Sequence, residues 1–236
     1  MQDTRFRIRN RCWWRKILHP VSCILYLSCL FLICPASSFG IDLQQVVSGL
    51  QRRYASVDTV KGNFQQTYRA PGINQEESGE FWLKKPGLMR WEYRSPEEQL
   101  FVADGRDSFL YVPKDRQVTV QPFSAADLHS TPLEFLLGSG GINRSFVVSW
   151  EMEFKAKAER TILIRLVPRK PEGQYAFLVF ELDSRTFDLR HIVIRDSGGS
   201  TSEFFFSGVT TNVKLDNKLF QFKIPKGVEV IRLNND

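Results

Sequence analysis

The stretch GEFWLKKPGLMRWEYR, Gly79 to Arg94, constrains the fold more than any other, because a hairpin drawn through it sorts its side chains into two unlike faces. Pro86-Gly87 is a turn signal between two strand-like runs. With Pro86, Gly87 and Leu88 as a three-residue loop, Lys85 lies opposite Met89, Leu83 opposite Trp91 and Phe81 opposite Tyr93. One face then carries Phe81, Leu83, Met89, Trp91 and Tyr93 with a single charge, Lys85. The other carries Glu80, Lys84, Arg90, Glu92 and Arg94, with Trp82 as the exception. A two-residue loop mixes these sets and a one-residue slip turns every side chain over, so the pattern selects the register. Taken alone, this is a half-buried hairpin of any antiparallel sheet.

The remaining chain is read the same way. Ile41 to Val57 places Leu43, Val46, Val47, Leu50, Tyr54 and Val57 at helical spacing, which predicts an amphipathic helix covering an apolar surface. Val60 to Tyr68 alternates as a first strand, and Ala70 to Asn74 reads as a turn. Gln99 to Ala103 and Ser108 to Val112, joined at Asp104-Gly105, form a second hairpin that is apolar on both faces. Such strands are covered on both sides or line a cavity. Gln117 to Phe123 is a further strand. Thr131-Pro132-Leu133-Glu134 is a capping box that starts a short helix through Leu133, Phe135, Leu136 and Leu137, stopped by Gly138 to Gly141. It suits a movable lid or a core helix equally. From Trp150 onward the chain is almost all β, in sets beginning with Trp150, Met152 and Phe154. Successive hairpins without helical crossovers predict an antiparallel sheet.

Residues 1–40 are expected to be a secretory signal, with a basic start at Arg5, Arg7, Arg9, Arg11, Arg15 and Lys16 and an apolar run, Val21 to Ile33, too short for a comfortable membrane span. Cleavage between Ser38 and Ile41 leaves residues 41–236 as one domain; a retained anchor is the alternative. All four cysteines fall within the first 40 residues, so the mature domain has no thiol for disulfides, metal or nucleophilic attack. None sits in a good lipobox. Five of the six net positive charges lie in the same segment, so the nearly neutral domain gives no electrostatic reason to propose nucleic acid.

The search for catalysis is nearly empty. His129 and His191 are isolated, no metal-ligand spacing or GxSxG elbow appears, and no cofactor is called for. Glu76-Glu77 and Glu97-Glu98 diverge as neighbours and read as solvated charge. A secreted hydrolase built from scattered residues remains a second-rank alternative. What is abundant is aromatic surface, with 19 Phe, 5 Trp and 6 Tyr in the full chain, either packed as a core or lining a lumen.

Five segments together resemble the outer-membrane lipoprotein carrier family, LolA: YASVDTVKGNFQQTY (54–68), GEFWLKKPGLMRWEY (79–93), LFVADGRDSFLYVP (100–113), TPLEFLL (131–137) and NKLFQFKIPKGVEVI (217–231). The order is right over essentially the whole mature chain, although between Gly138 and Asn217 the match is in strand pattern only. The resemblance implies a mainly β fold with a few α-helices: an unclosed antiparallel β half-barrel covered by a helical lid, with an apolar cavity. It implies a non-enzymatic, monomeric periplasmic carrier. Its cargo is acylated lipoproteins, received from an inner-membrane ABC transporter and passed to an outer-membrane acceptor. A membrane-anchored acceptor or lipid-sensing domain of the same architecture is the alternative.

The lipid-contacting set is then Tyr54, Phe64, Phe81, Leu83, Met89, Trp91, Tyr93, Leu133, Phe135, Leu136 and Leu137, with Met89 near the cavity mouth. Members of the family carry arginine where this chain has Lys85, and that arginine holds the lid. The resemblance therefore makes Lys85 a latch, looser because an ammonium lacks the bidentate fork of a guanidinium. A lysine snorkelling into water is the plain alternative.

Overall fold

The computed structural model describes residues 41–123, 141–170 and 175–233. The signal expectation for residues 1–40, His129 and the helix expected over Leu133, Phe135, Leu136 and Leu137 lie outside the described residues.

A helix, α1 (Leu43–Ala55), precedes six strands in an antiparallel meander: β1 (Thr59–Ala70), β2 (Ile73–Lys84), β3 (Leu88–Ser95), β4 (Gln99–Asp104), β5 (Asp107–Val112) and β6 (Gln117–Pro122). A one-turn helix, α2 (Ile142–Ser145), leads into a second meander: β7 (Phe146–Trp150), β8 (Thr161–Pro168), β9 (Tyr175–Asp183), β10 (Leu189–Asp196) and β11 (Thr201–Thr211). A 3-10 turn at Asn217–Phe220 and β12 (Glu229–Arg232) finish the chain. The strands make one sheet in the order β12-β6-β5-β4-β3-β2-β1-β11-β10-β9-β8-β7, with two free ends and no closure. Pairing of β1 with β11 welds the two meanders, Phe64 standing opposite Phe206. One pair departs from the antiparallel expectation, since β12 runs parallel to β6.

The sheet curls strongly. Strands β3 and β11 are three steps of about 4.8 Å apart along the sheet, yet the Trp91 and Phe204 ring centroids are 6.1 Å apart across its inner face. That face carries one continuous core that includes Val46, Val47 and Leu50 of α1, Phe64, Phe81, Leu83, Ile164, Leu178 and Phe180. The amphipathic stripe of α1 covers it, as the helical spacing predicted. The helix is docked at the β9–β10 end, where Tyr54 Oη accepts the Leu189 amide at 3.0 Å and Arg53 pairs with Asp188 at 2.7 Å. A Cβ on Gly49 would lie 2.5 Å from the Phe187 ring, so this close approach needs glycine.

The outer face has two covers. Over β3–β6 runs the C-terminal tail. Phe220 is buried, and Phe222 packs 5.5 Å from Phe109 and 5.7 Å from Tyr111. The charged side of the opening hairpin holds this tail: Lys84 Nζ donates to Leu215 O at 2.9 Å and Asn217 Oδ1 at 2.7 Å, and Arg90 donates to Leu219 O at 3.2 Å. The second hairpin is apolar on both faces because both are covered, the outer one by this tail. Over β8–β10 lie residues 151–160, of which the sequence predicted that those as far as Phe154 continue a strand. Instead the Glu151 carboxylate accepts the amides of Glu153 and Phe154, and Glu181 accepts those of Lys157 and Ala158. The backbone is drawn out of the ladder, and Met152, expected to alternate inward, is 88% exposed.

The opening hairpin keeps its two faces but is offset from the expected register. Leu83 pairs with Met89, Phe81 with Trp91 and Gly79 with Tyr93. The loop is residues 85–87, because the Lys85 amide leaves the hairpin to donate to Asp58 O at 2.9 Å. A shift of two residues preserves the parity of side-chain facing.

Candidate functional site: an apolar cavity in the curl of the sheet

Where α1 does not reach, the inner face encloses a cavity of about 370 Å³. One wall is Met89, Trp91 and Tyr93 of β3 with Phe101 of β4, Leu110 of β5 and Phe123. The other is Ile192 and Ile194 of β10 with Phe204 of β11. Two polar residues complete the lining, Glu77 of β2 and Gln99 of β4.

The β3 wall is rigid because an aromatic layer backs it. Trp91 stacks on Phe81 at 5.0 Å and meets Phe64 edge-on at 4.8 Å, while Phe64 meets Tyr93 edge-on at 4.9 Å. Each such pair contributes about 0.5–1.5 kcal/mol beyond area burial. Gly79 makes the layer possible: a Cβ there would lie 2.9 Å from the Phe64 ring and 1.8 Å from Glu92 O. The Trp91 indole N–H is buried with no acceptor among the described residues.

Polarity is confined to one end. Gln66 pairs across strands with Glu77 and Tyr93 with Gln99; Tyr93 itself stands opposite Gly79, two residues along β2 from Glu77, so the two pairs lie diagonally to one another across β1–β4. Tyr93 Oη donates to Gln66 Oε1 at 3.2 Å. Burial pushes the Tyr93 hydroxyl well above its ordinary value, and the Glu77 charge pushes it further. Burial also raises the Glu77 carboxyl, against a hydrogen bond from the Gln75 amide. At the α1 end, burial pushes Tyr54 up to about 12, the Leu189 amide opposing it.

Of the residues read from sequence, Met89, Trp91 and Tyr93 line the cavity, and Phe64, Phe81 and Leu83 form the layer behind it. Met89, expected near the mouth, is only 2% exposed. Tyr54 lies in the α1 core, its hydroxyl taken by Leu189. Lys85 Nζ donates to the last carbonyls of α1, Tyr54 O at 3.3 Å and Ala55 O at 3.4 Å. Sequence reasoning missed Phe101, Ile192, Ile194 and Phe204 as lining residues, although each stood in a strand set that alternation had identified. It also dismissed Glu77 as solvated charge.

His191 belongs to the outer face. Its ring stacks on Phe205 at 4.0 Å, with Nδ1 3.2 Å from Glu181 and Nε2 3.3 Å from Glu203, and Arg69 also pairs with Glu203. No grouping of His, Cys, Asp or Glu suited to a metal occurs among the described residues, and no described helix is long and apolar enough to cross a membrane. The cavity itself offers apolar contact, one carboxylate, one amide and one phenol, a set suited to holding a greasy ligand.

Comparison with known proteins agrees with that chemistry. The family described as outer membrane lipoprotein carrier protein LolA matches residues 55–223. An outer-membrane lipoprotein carrier protein of Hahella chejuensis is 33% identical over 201 residues, covering 84% of this chain and 90% of its own. One from Nitrosomonas europaea is 34% identical over 176 residues, covering 74% and 82%. Among solved structures, an uncharacterized conserved protein from Thermus thermophilus shares the fold with a TM-score of 0.50 at 13% identity, over 80% of this chain and 98% of that one. With the matched region spanning most of the chain, this protein belongs to the LolA family of outer membrane lipoprotein carrier proteins.

Proposed function

We propose that this chain is a periplasmic carrier that shields the acyl chains of lipoproteins, receiving them from an inner-membrane ABC transporter and surrendering them to an outer-membrane acceptor. Residues 1–40 direct export, and residues 41–236 form the carrier domain. The observation that carries this reading is the apolar cavity between β3–β5 and β10–β11 in a chain whose family consists of such carriers. Burial of acyl carbon is worth about 0.8 kcal/mol per CH₂, so long chains leave a membrane only into an apolar shelter. The lining suits release as well as capture: Met89 is adaptable, and the wall is a shelf of aromatic faces rather than a fitted slot.

The same reading makes Lys85 a latch. Its ammonium joins the hairpin turn to the C-terminal carbonyls of α1, where a cation is also favoured by the helix dipole. Letting go of Lys85 frees α1 to move from the inner face, and regaining it expels the cargo. No catalytic step is involved.

Native mass spectrometry of the protein recovered from the periplasm tests the carrier reading. Co-purification of acylated lipoprotein is expected. Recovery of only unliganded protein, in cells where lipoproteins are being exported, overturns it.

A further inference from the structure

An acyl cavity needs only apolar walls, so the carboxylate in this one calls for an account. Glu77 lines the cavity, and among the described residues no cation pairs with it. Arg69 pairs with Glu203 and Arg94 with Glu80 and Glu92. Among the described residues, the only side-chain hydrogen bond to Glu77 comes from Gln75 Nε2 to Oε1 at 2.9 Å, which leaves Oε2 without a described partner. Beside it stand the Tyr93 hydroxyl, which lends its proton to Gln66 Oε1, and the side-chain amide of Gln99. These groups form a polar cluster at one end of the cavity, while α1 closes the inner face at the other end of the same strands.

We propose that Glu77, Tyr93 and Gln99 form a head-group subsite, which orients an acyl ligand with its chains toward α1. It favours heads that present N–H donors, such as an amide or ammonium, over heads that carry an anion at the same level. The inference rests on the carrier reading and adds selectivity to it. A carboxylate accepts hydrogen bonds and donates none, so an amide or ammonium meets a partner there. A sulfate or phosphate meets a like charge at a half-buried carboxylate, where the Coulomb interaction is less screened than in bulk water. The Gln99 side-chain amide supplies the N–H that an ester or amide carbonyl requires, while the Tyr93 oxygen, its proton given to Gln66, accepts from an N–H of the head. The cluster therefore serves the junction between chains and head, and Glu77 supplies the discrimination by repelling the wrong ligand.

The test uses three probes with the same chain and different heads: dodecylammonium, N-dodecylacetamide and dodecyl sulfate. Each is used below its micelle-forming concentration to displace an apolar environment-sensitive dye. The readout is the ratio of affinities within one protein, so changes common to all probes cancel. In the parent, the ammonium and amide probes are expected to bind about tenfold more tightly than the sulfate. Glu77→Gln is expected to bring the ratio to within about twofold, and Glu77→Lys to reverse the order. Glu76→Gln, on the opposite face of the same strand, should leave the parent's ratio in place. An identical head-group preference in the parent and Glu77→Gln, with dye and probes still bound, overturns the subsite and leaves the carrier reading standing. Failure of the parent to bind the dye or any probe overturns both.

Discussion

Two parts of the inner face are equally apolar and meet different fates. Over β8 and β9, Ile164, Leu166, Leu178, Phe180 and Leu182 are fully buried in a packed core. Over β3–β5, Met89, Trp91, Tyr93 and Phe101 face a cavity. Side-chain alternation is the same in both, so alternation decides which way a residue faces and not what occupies the space it faces. The occupant is set by α1, which Tyr54, Arg53 and Gly49 fasten to the β9–β10 end. Filling one half and leaving the other open turns an ordinary half-buried sheet into a container.

The sharpest way to break this comparison is to truncate one aromatic in each half. Phe180→Ala should cost about 3–5 kcal/mol, as expected for a large side chain lost from a core that cannot collapse. Phe101→Ala, at a half-buried position against open space, should cost less than half of that while weakening binding of an apolar dye. Urea titration and dye titration on both variants check this, and equal stability losses would erase the distinction.

Next in size is an acid effect on the outer side of the filled half. Burial lowers the pKa of His191, with Glu181 and Glu203 pulling the other way. A folded value below the unfolded 6.5 makes its contribution complete above that pH and lost as pH falls through the folded value. Burial works to raise Glu181, but hydrogen bonds from Thr161, the Ala158 and Lys157 amides and His191 outweigh it, leaving the carboxyl below 4.5. Its contribution is therefore present above 4.5 and fades at still lower pH. Both slopes have the same sign, so the melting temperature should fall steadily from pH 7 to pH 4. Glu181→Gln should cost about 1–3 kcal/mol at neutral pH and flatten that acid limb. A melting temperature independent of pH over this range would contradict the assignment.

Lys85 offers a smaller lever, because its two bonds are long and the side chain is partly exposed. Lys85→Leu should lower stability by about 0.5–1 kcal/mol, yet slow delivery of bound lipoprotein to acceptor vesicles, with Lys85→Arg restoring it. Delivery by Lys85→Leu as fast and complete as by the parent would move the latch elsewhere. The smallest effect expected is that of Trp91→Phe. Among the described residues the indole N–H has no acceptor, so the loss of ring area is partly offset by removing an unsatisfied donor, and the net change should stay within about 1 kcal/mol. A loss of several kcal/mol in thermal or urea denaturation would mean that the N–H has a partner.

The faces of the hairpin, the covering helix and the doubly apolar second hairpin were legible in the sequence, because each follows from a local period. The register was not, since it depends on the Lys85 amide turning to Asp58, a contact that no hairpin rule contains. Residues 151–154 were misread because Met152 and Phe154 alternate, while the Glu151 carboxylate captures the backbone instead, as Glu181, far away in sequence, does just beyond. The far wall of the cavity was illegible for a related reason. Ile192, Ile194 and Phe204 reach Trp91 only through the pairing of β1 with β11, and long-range pairing leaves no trace in local spacing. Glu77 looked like solvated charge because only the curl of the sheet turns it inward.

That same β1–β11 pairing governs when the container comes into being. Each meander can form from neighbouring residues soon after it is made, but Phe64 must wait for Phe206, which comes from near the other end of the chain. Contacts of such high sequence separation are slow, because chain closure is paid before any contact repays it. Until then the first meander is an open shelf of Phe81, Met89 and Trp91 in water, a surface prone to wrong partners. A chain cut short before β10 would keep that shelf and lack the wall that completes it. The capacity to hold a ligand therefore arrives in one late cooperative step, so partial chains have no partial activity.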